Sequence, residues 1–93
     1  MTVAATVRNN PAHSRYELAV DGGVAVAVYT LAAGVVSFVH TEVPAVLRER
    51  GIGSRLVAGA LADVARQGMK VVAGCSFVKA FMGQHPKLSG LVA

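Results

Sequence analysis

The chain has 93 residues, 54% of them hydrophobic and only 5% aromatic, with a net charge of +4. That length gives one domain, expected over 1–93, with a core built from Val, Leu and Ala. No run approaches the roughly 20 apolar residues of a membrane span, no basic-then-apolar secretory leader opens the chain, and the lone Cys75 has no disulfide partner and no metal-ligand cluster around it, so a reducing cytoplasmic setting without membrane or metal is the expectation.

Taken in order, Thr2 to Asn9 reads as a short strand and Asn10-Pro11-Ala12-His13 as a turn. Arg15 to Val20 alternates like a second strand, and Asp21-Gly22-Gly23 is a hairpin signal. Val24 to Leu31 holds the longest apolar run, Val24 to Val28, and reads as a buried third strand. Ala32-Ala33-Gly34 turns the chain into a fourth strand, Val35 to Val43, and Pro44 ends it. From Gly53 the period changes: Ile52, Leu56, Ala60, Leu61 and Val64 form one helical stripe, with Arg55, Asp63, Arg66 and Gln67 off it and Gly68 at its end. Met69 to Ala73 reads as a fifth, fully buried strand. Cys75 to Gln84 suits a short second helix with Phe77, Phe81 and Met82 facing inward, closed by His85-Pro86.

The order β-β-β-β-α-β-α predicts an α+β domain: a mixed, mostly antiparallel five-stranded sheet with two helices. Short loops make the opening meander antiparallel. The helix between the fourth and fifth strands is long enough for a right-handed parallel crossover.

Charge is uneven along the chain. Residues 1–47 sum to −1 and residues 48–93 to +5, the excess starting at Arg48. An anionic ligand held by the C-terminal half would fit, and so would a solvated basic surface. Gly51 and Gly53 fall where a loop becomes a helix. The first helical turn offers unpaired N–H groups and partial positive charge, and glycine lets a phosphate approach them. Arg48, Arg50 and Arg55 add full charges beside them. A merely flexible helix start flanked by solubilising arginines shares this pattern. It is neither the dinucleotide fingerprint, which needs a further glycine, nor a Walker A loop, which needs Gly-Lys-Ser/Thr.

At these residues the sequence resembles the GNAT acetyltransferase superfamily, whose pyrophosphate loop, Gln/Arg-x-x-Gly-x-Gly/Ala, is matched by Arg48-x-x-Gly51-x-Gly53. It is most similar to the small single-domain members. The matching stretches are Arg15-Tyr16-Glu17, His40-Thr41-Glu42-Val43-Pro44, Arg50-Gly51-Ile52-Gly53-Ser54-Arg55-Leu56-Val57, Cys75-Ser76-Phe77-Val78 and His85-Pro86. The resemblance implies a core without inserted helices after the first strand. It implies that acetyl-CoA or CoA enters a gap between the fourth and fifth strands. The pantetheine arm would pair with the backbone near Thr41, Glu42 and Val43, and the pyrophosphate would meet the N–H groups of Arg50, Gly51, Ile52, Gly53 and Ser54. Two positions depart from the pattern. Phe81 stands where close relatives often carry Tyr, and so brings no hydroxyl to protonate a leaving thiolate. Lys87-Leu88 follows His-Pro where the usual ending is acidic-aromatic.

Amide formation from a thioester and an amine needs a base for the amine, a stabilised oxyanion, and a stabilised or protonated thiolate. Strict alternation puts Phe38, His40 and Glu42 on one face of the fourth strand and Val39, Thr41 and Val43 on the other, with His40 and Glu42 about 7 Å apart. Histidine ordinarily titrates near neutrality, so His40 is the better general base and Glu42 the alternative. Cys75 could protonate the departing thiolate, accept the acetyl group itself, or be inert. The readings in competition are an N-acetyltransferase acting on a primary amine, such as a lysine or N-terminus of a protein, and a CoA-binding module with little activity. A nucleic-acid binder is disfavoured, because exposed strand aromatics are missing. The expected assembly is a monomer or weak dimer.

Overall fold

The computed structural model describes residues 6–20, 22–45 and 51–93. Strands β1 (Arg8–Asn10), β2 (Arg15–Val20), β3 (Gly23–Ala32) and β4 (Val35–Glu42) form an antiparallel meander. Helix α1 (Ile52–Arg66) then crosses to β5 (Lys70–Ala73), which pairs parallel with β4, and helix α2 (Ser76–Gly83) follows. Strand order in the sheet is the order of the chain. The expected order of elements is therefore seen, with additions. Pro11–His13 forms a single 3-10 turn, and Pro86–Leu91 forms a 3-10 segment where the sequence suggested only a stop. Of the expected first strand, Arg8 and Asn9 are in β1, and residues 2–5 lie outside the described residues, as does Asp21 of the second hairpin.

The helices line one face of the sheet. Tyr16, Leu18, Ala25, Ala27, Tyr29, Val36, Phe38 and Val71 point to that face and are buried against the α1 stripe of Ile52, Leu56, Val57, Ala60, Leu61 and Val64, with Val78 and Phe81 of α2 in the same core. Aromatic bulk is scarce and concentrated: the rings of Tyr16, Tyr29 and Phe38 meet at centroid distances of 5.5, 6.1 and 6.2 Å beneath α1. Both tyrosine hydroxyls find acceptors, as buried phenols must. Tyr29 donates to Asn9 Oδ1 at 2.6 Å, and Tyr16 to Asp63 Oδ2 at 2.6 Å. Burial, then the bond to Asp63, holds the Tyr16 hydroxyl protonated well above the usual tyrosine range. Asp63 also accepts from Arg66 and Gln67, so one carboxylate ties β2 to the end of α1.

Three expectations are corrected. The third strand is not buried throughout: only Ala25, Ala27 and Tyr29 are, while Val24 on the alternate face is 46% exposed. The fifth strand is not fully buried. Only Val71 is, because β5 has β4 on one side and a single bridge from Val92 on the other. Nor does β4 alternate strictly. His40 pairs with Val28 and Phe38 with Tyr29, which leaves Val39 as an extra residue, a β-bulge. A one-residue insertion reverses every following side chain. Phe38 therefore lies on the helix side, His40 and Glu42 opposite Val28 and Val26 on the other face, and Thr41 on the helix side with Ala27.

The β3–β4 hairpin closes through Ala33 (φ +52°) and Gly34 (φ +77°), between the paired Ala32 and Val35. Two positive φ values are the type I′ pattern, which favours Asn-Gly. An alanine in that region costs roughly 1 kcal/mol. Ala33→Asn is expected to raise stability by about 0.5–1 kcal/mol, read as a thermal midpoint about 4 °C higher. Asp63→Ala strands the Tyr16 hydroxyl and is expected to cost about 1–3 kcal/mol in urea unfolding, and less in a Tyr16→Phe background.

Candidate functional site

Beyond Phe38, β4 runs on through Val39–Glu42 with β3 on one edge and no strand on the other among the described residues, because the β4–β5 pairing ends at Phe38 and Ala73. Gly74 leaves the sheet so close to β4 that a Cβ there would lie 2.9 Å from the Phe38 carbonyl oxygen. The gap expected between the fourth and fifth strands is this divergence. It opens into a cleft of about 620 Å³. His40, Thr41, Glu42 and Val43 form one wall, Gly51, Gly53 and Ser54 at the start of α1 form the other, and Phe77 of α2 closes the side.

The start of α1 leaves backbone amides without acceptors inside the helix. The first intrahelical bond is Arg55 N–H to the Gly51 carbonyl, at 3.1 Å. The amides of Ile52, Gly53 and Ser54 precede it and have no intrahelical acceptor. Gly51 is the N-cap, with φ +69° and no capping side chain. A Cβ at Gly51 would meet nothing within 4 Å, so its side of the turn is open to the cleft. Gly53 has a different reason. A Cβ there would lie 2.7 Å from Cζ of Phe77 and 3.3 Å from a Val43 methyl, so glycine lets the Phe77 ring and β4 pack against the helix. The sequence suggests the same open approach for both glycines; the space beside Gly51 is clear, and that beside Gly53 is filled by the Phe77 ring. Ile52 is buried, with only its backbone at the turn, and Arg55 is exposed beside it. Arg48 and Arg50, expected to flank the loop, lie outside the described residues.

The three catalytic candidates separate onto two sides of β4. His40 Nε2 and Glu42 Oε2 are 3.7 Å apart, and both side chains are largely exposed. Cys75 is on the helix side. It is the N-cap of α2, and its Sγ donates to Thr41 Oγ1 at 3.4 Å. Partial burial pushes its thiol up, but hydrogen bonds with the Thr41 hydroxyl and with the backbone of Val78, Phe77 and Thr41 outweigh this, and the net shift is downward. Phe81 is buried and stacks on His85 at 4.1 Å, so this position brings no hydroxyl to the cleft.

Phe77 was expected in the core. It is instead 39% exposed at the rim of the cleft. Its position depends on three elements meeting, and the spacing in α2 gives no sign of it. Among the described residues no cluster of His, Cys, Asp and Glu could hold a metal ion, and no helix is long and apolar enough to cross a membrane.

A helix start with bare amides, facing the free half of a bulged strand across a cleft, is the arrangement that the sequence resemblance implied. The model of the GCN5-related N-acetyltransferase family matches residues 15–91. The chain belongs to that family. The match runs from β2 to the final 3-10 segment and so includes both walls of the cleft and Cys75. No curated protein matches the chain. Membership supports acyl transfer as the general activity.

The lowered Cys75 thiol gives a sign that can be read directly. A depressed value means that thiolate is present at lower pH than for a free cysteine. Iodoacetamide labelling should therefore rise at lower pH than in a reference thiol peptide. Thr41→Val, which removes the largest of the lowering contributions, should move the profile back up.

Proposed function

We propose that the protein transfers an acetyl group from acetyl-CoA to a primary amine. The observation that carries the reading is the cleft between the α1 amides and the β4 segment that no strand flanks. The amides of Ile52, Gly53 and Ser54, with Gly51 leaving their approach open and Arg55 beside them, fit a diphosphate. Arg48 and Arg50 are proposed to add charge on the same side. The backbone of Thr41 and Glu42 offers hydrogen-bonding groups to a pantetheine arm, as a missing sixth strand would, with Val43 continuing the same wall of the cleft. The cleft is within the range of small-molecule sites. The bound cosubstrate supplies an activated thioester, and the chain's own groups manage protons and charge around it.

In this reading His40, with Glu42 3.7 Å away, takes the proton of the incoming ammonium. Backbone N–H groups near the bulge face the carbonyl oxygen as negative charge develops on it. The Cys75 thiol, bonded to Thr41 on the other side of the strand, gives its proton to the departing sulfur. The new bond is nitrogen to acyl carbon and the broken bond is sulfur to acyl carbon. Two protons leave the nitrogen: His40 takes the first from the ammonium, and the second, lost as the amide forms, replaces the one that Cys75 has given to the departing thiolate.

A CoA-binding module of little activity is the second reading, and the buried Phe81, which brings no phenol hydroxyl to that position, favours it. Thermal shift with CoA and acetyl-CoA, and transfer rates for the parent, His40→Ala and Cys75→Ala, separate the two. The transferase reading expects stabilisation by both ligands and a rate about 100-fold lower in His40→Ala. Equal and negligible rates in all three proteins, with CoA still bound, would establish the module. No shift with either ligand would remove both.

A further inference from the structure

On the face of the sheet opposite the helices a strip of valines on β3 runs into the site, with the paired Arg15 and Glu17 of β2 beside it, opposite Val28 and Val26. Val26 lies directly across from Glu42, and Val28 from His40. Val24 continues the row along β3 and is 46% exposed; Val39 at the bulge is 50% exposed and Val72 of β5 is 44% exposed. None of the described helices lies on this side, since α1 and α2 share the core on the other. A single exposed valine on a strand is ordinary, whereas a contiguous row of them marks a surface that another molecule can cover.

The bulge decides what that cover must do. By reversing the faces of β4 it puts His40 and Glu42 on the valine side, and Thr41 with Cys75 on the helix side. An amine that reaches His40 and Glu42 therefore comes over the open face. Directly opposed residues in an antiparallel pair are only about 5 Å apart. A chain that delivers an amine to His40 and Glu42 from the open face lies across Val26 and Val28. The Glu42 carboxylate, exposed at the edge of the patch, complements the charge of an ammonium. We infer that the valine face is the acceptor-docking surface, and that it selects a lysine in an extended polypeptide segment with branched or aromatic side chains within about two residues of it. This rests on the transferase reading above, but the docking can be tested apart from it.

The experiment compares two short peptides of equal charge, one with the lysine flanked by Val or Phe, the other with Gly and Ser. Methyl-labelled parent protein is titrated with each, and steady-state transfer is measured for the parent and for V26T/V28T, which keeps branched β-carbons and makes the patch polar. The expected result is shifts of the Val24, Val26 and Val28 methyl signals with the apolar-flanked peptide and a KM for that peptide about tenfold lower than for the Gly/Ser peptide. In V26T/V28T that advantage is lost, while affinity for acetyl-CoA stays the same. Methyl shifts without any binding of acetyl-CoA would keep the docking surface and remove the transferase reading. Acetyl-CoA binding with no methyl shifts, or with equal KM for both peptides, would overturn the inference. So would a parent dimer in sedimentation that V26T/V28T dissociates without changing peptide preference, since a second copy would then be the cover. If V26T/V28T does not fold, the parent's methyl shifts and KM ratio decide.

Discussion

The structure turns on one extra residue in one strand. Val39 has no partner on β3, and the strand that carries it therefore has two halves with opposite facing. The first half, through Phe38, is clamped between β3 and β5 and drives Val36 and Phe38 into the core. The second half keeps only β3, turns His40 and Glu42 away from the helices and brings Thr41 to Cys75. Without the bulge, the same residues would set Thr41 on the open face and His40 among the buried side chains. A titratable side chain there would need a partner to offset the loss of water.

The bulge can be tolerated because the sheet on both sides of it is held firmly. The Tyr16, Tyr29 and Phe38 rings meet under α1, next to the point where register shifts, and each tyrosine hydroxyl is fixed to a side chain from another element. In a chain with so few aromatics, these three supply much of the bulk that the alanine and valine positions lack. The α1 stripe then packs on a surface whose shape is already set. Its start is carried to the level of the free β4 half, where Gly51, Gly53 and Phe77 come together.

Two glycines two residues apart thus serve different ends. Gly51 meets a backbone requirement, a positive φ at the helix cap, and its outer side is clear. Gly53 meets a packing requirement, since the space of its missing Cβ holds the Phe77 ring. The sequence gives both the same letter and the same apparent purpose, because spacing reports where the glycines fall along the chain and carries nothing about what stands beside them. Cys75 is similar. Its place after the last strand was legible, but the Thr41 hydroxyl that shares its proton is 34 residues away and reaches it only through the reversed strand.

By itself the sequence determined the elements and their order. The Gly-rich hairpins, the change of period at Gly53 and the stop at Gly68 are local signals, set by backbone sterics and by the 3.6- and 2-residue repeats. It also determined the helix stripe, all of which is buried, and the resemblance to the family whose model matches residues 15–91. The tertiary structure alone decided which faces the candidate side chains take, that only Val71 of β5 is buried, and that Phe77 lines the cleft. Each of these follows from pairing or packing between segments distant in the chain. A single unpaired residue is enough to invert a face, and no local repeat records it.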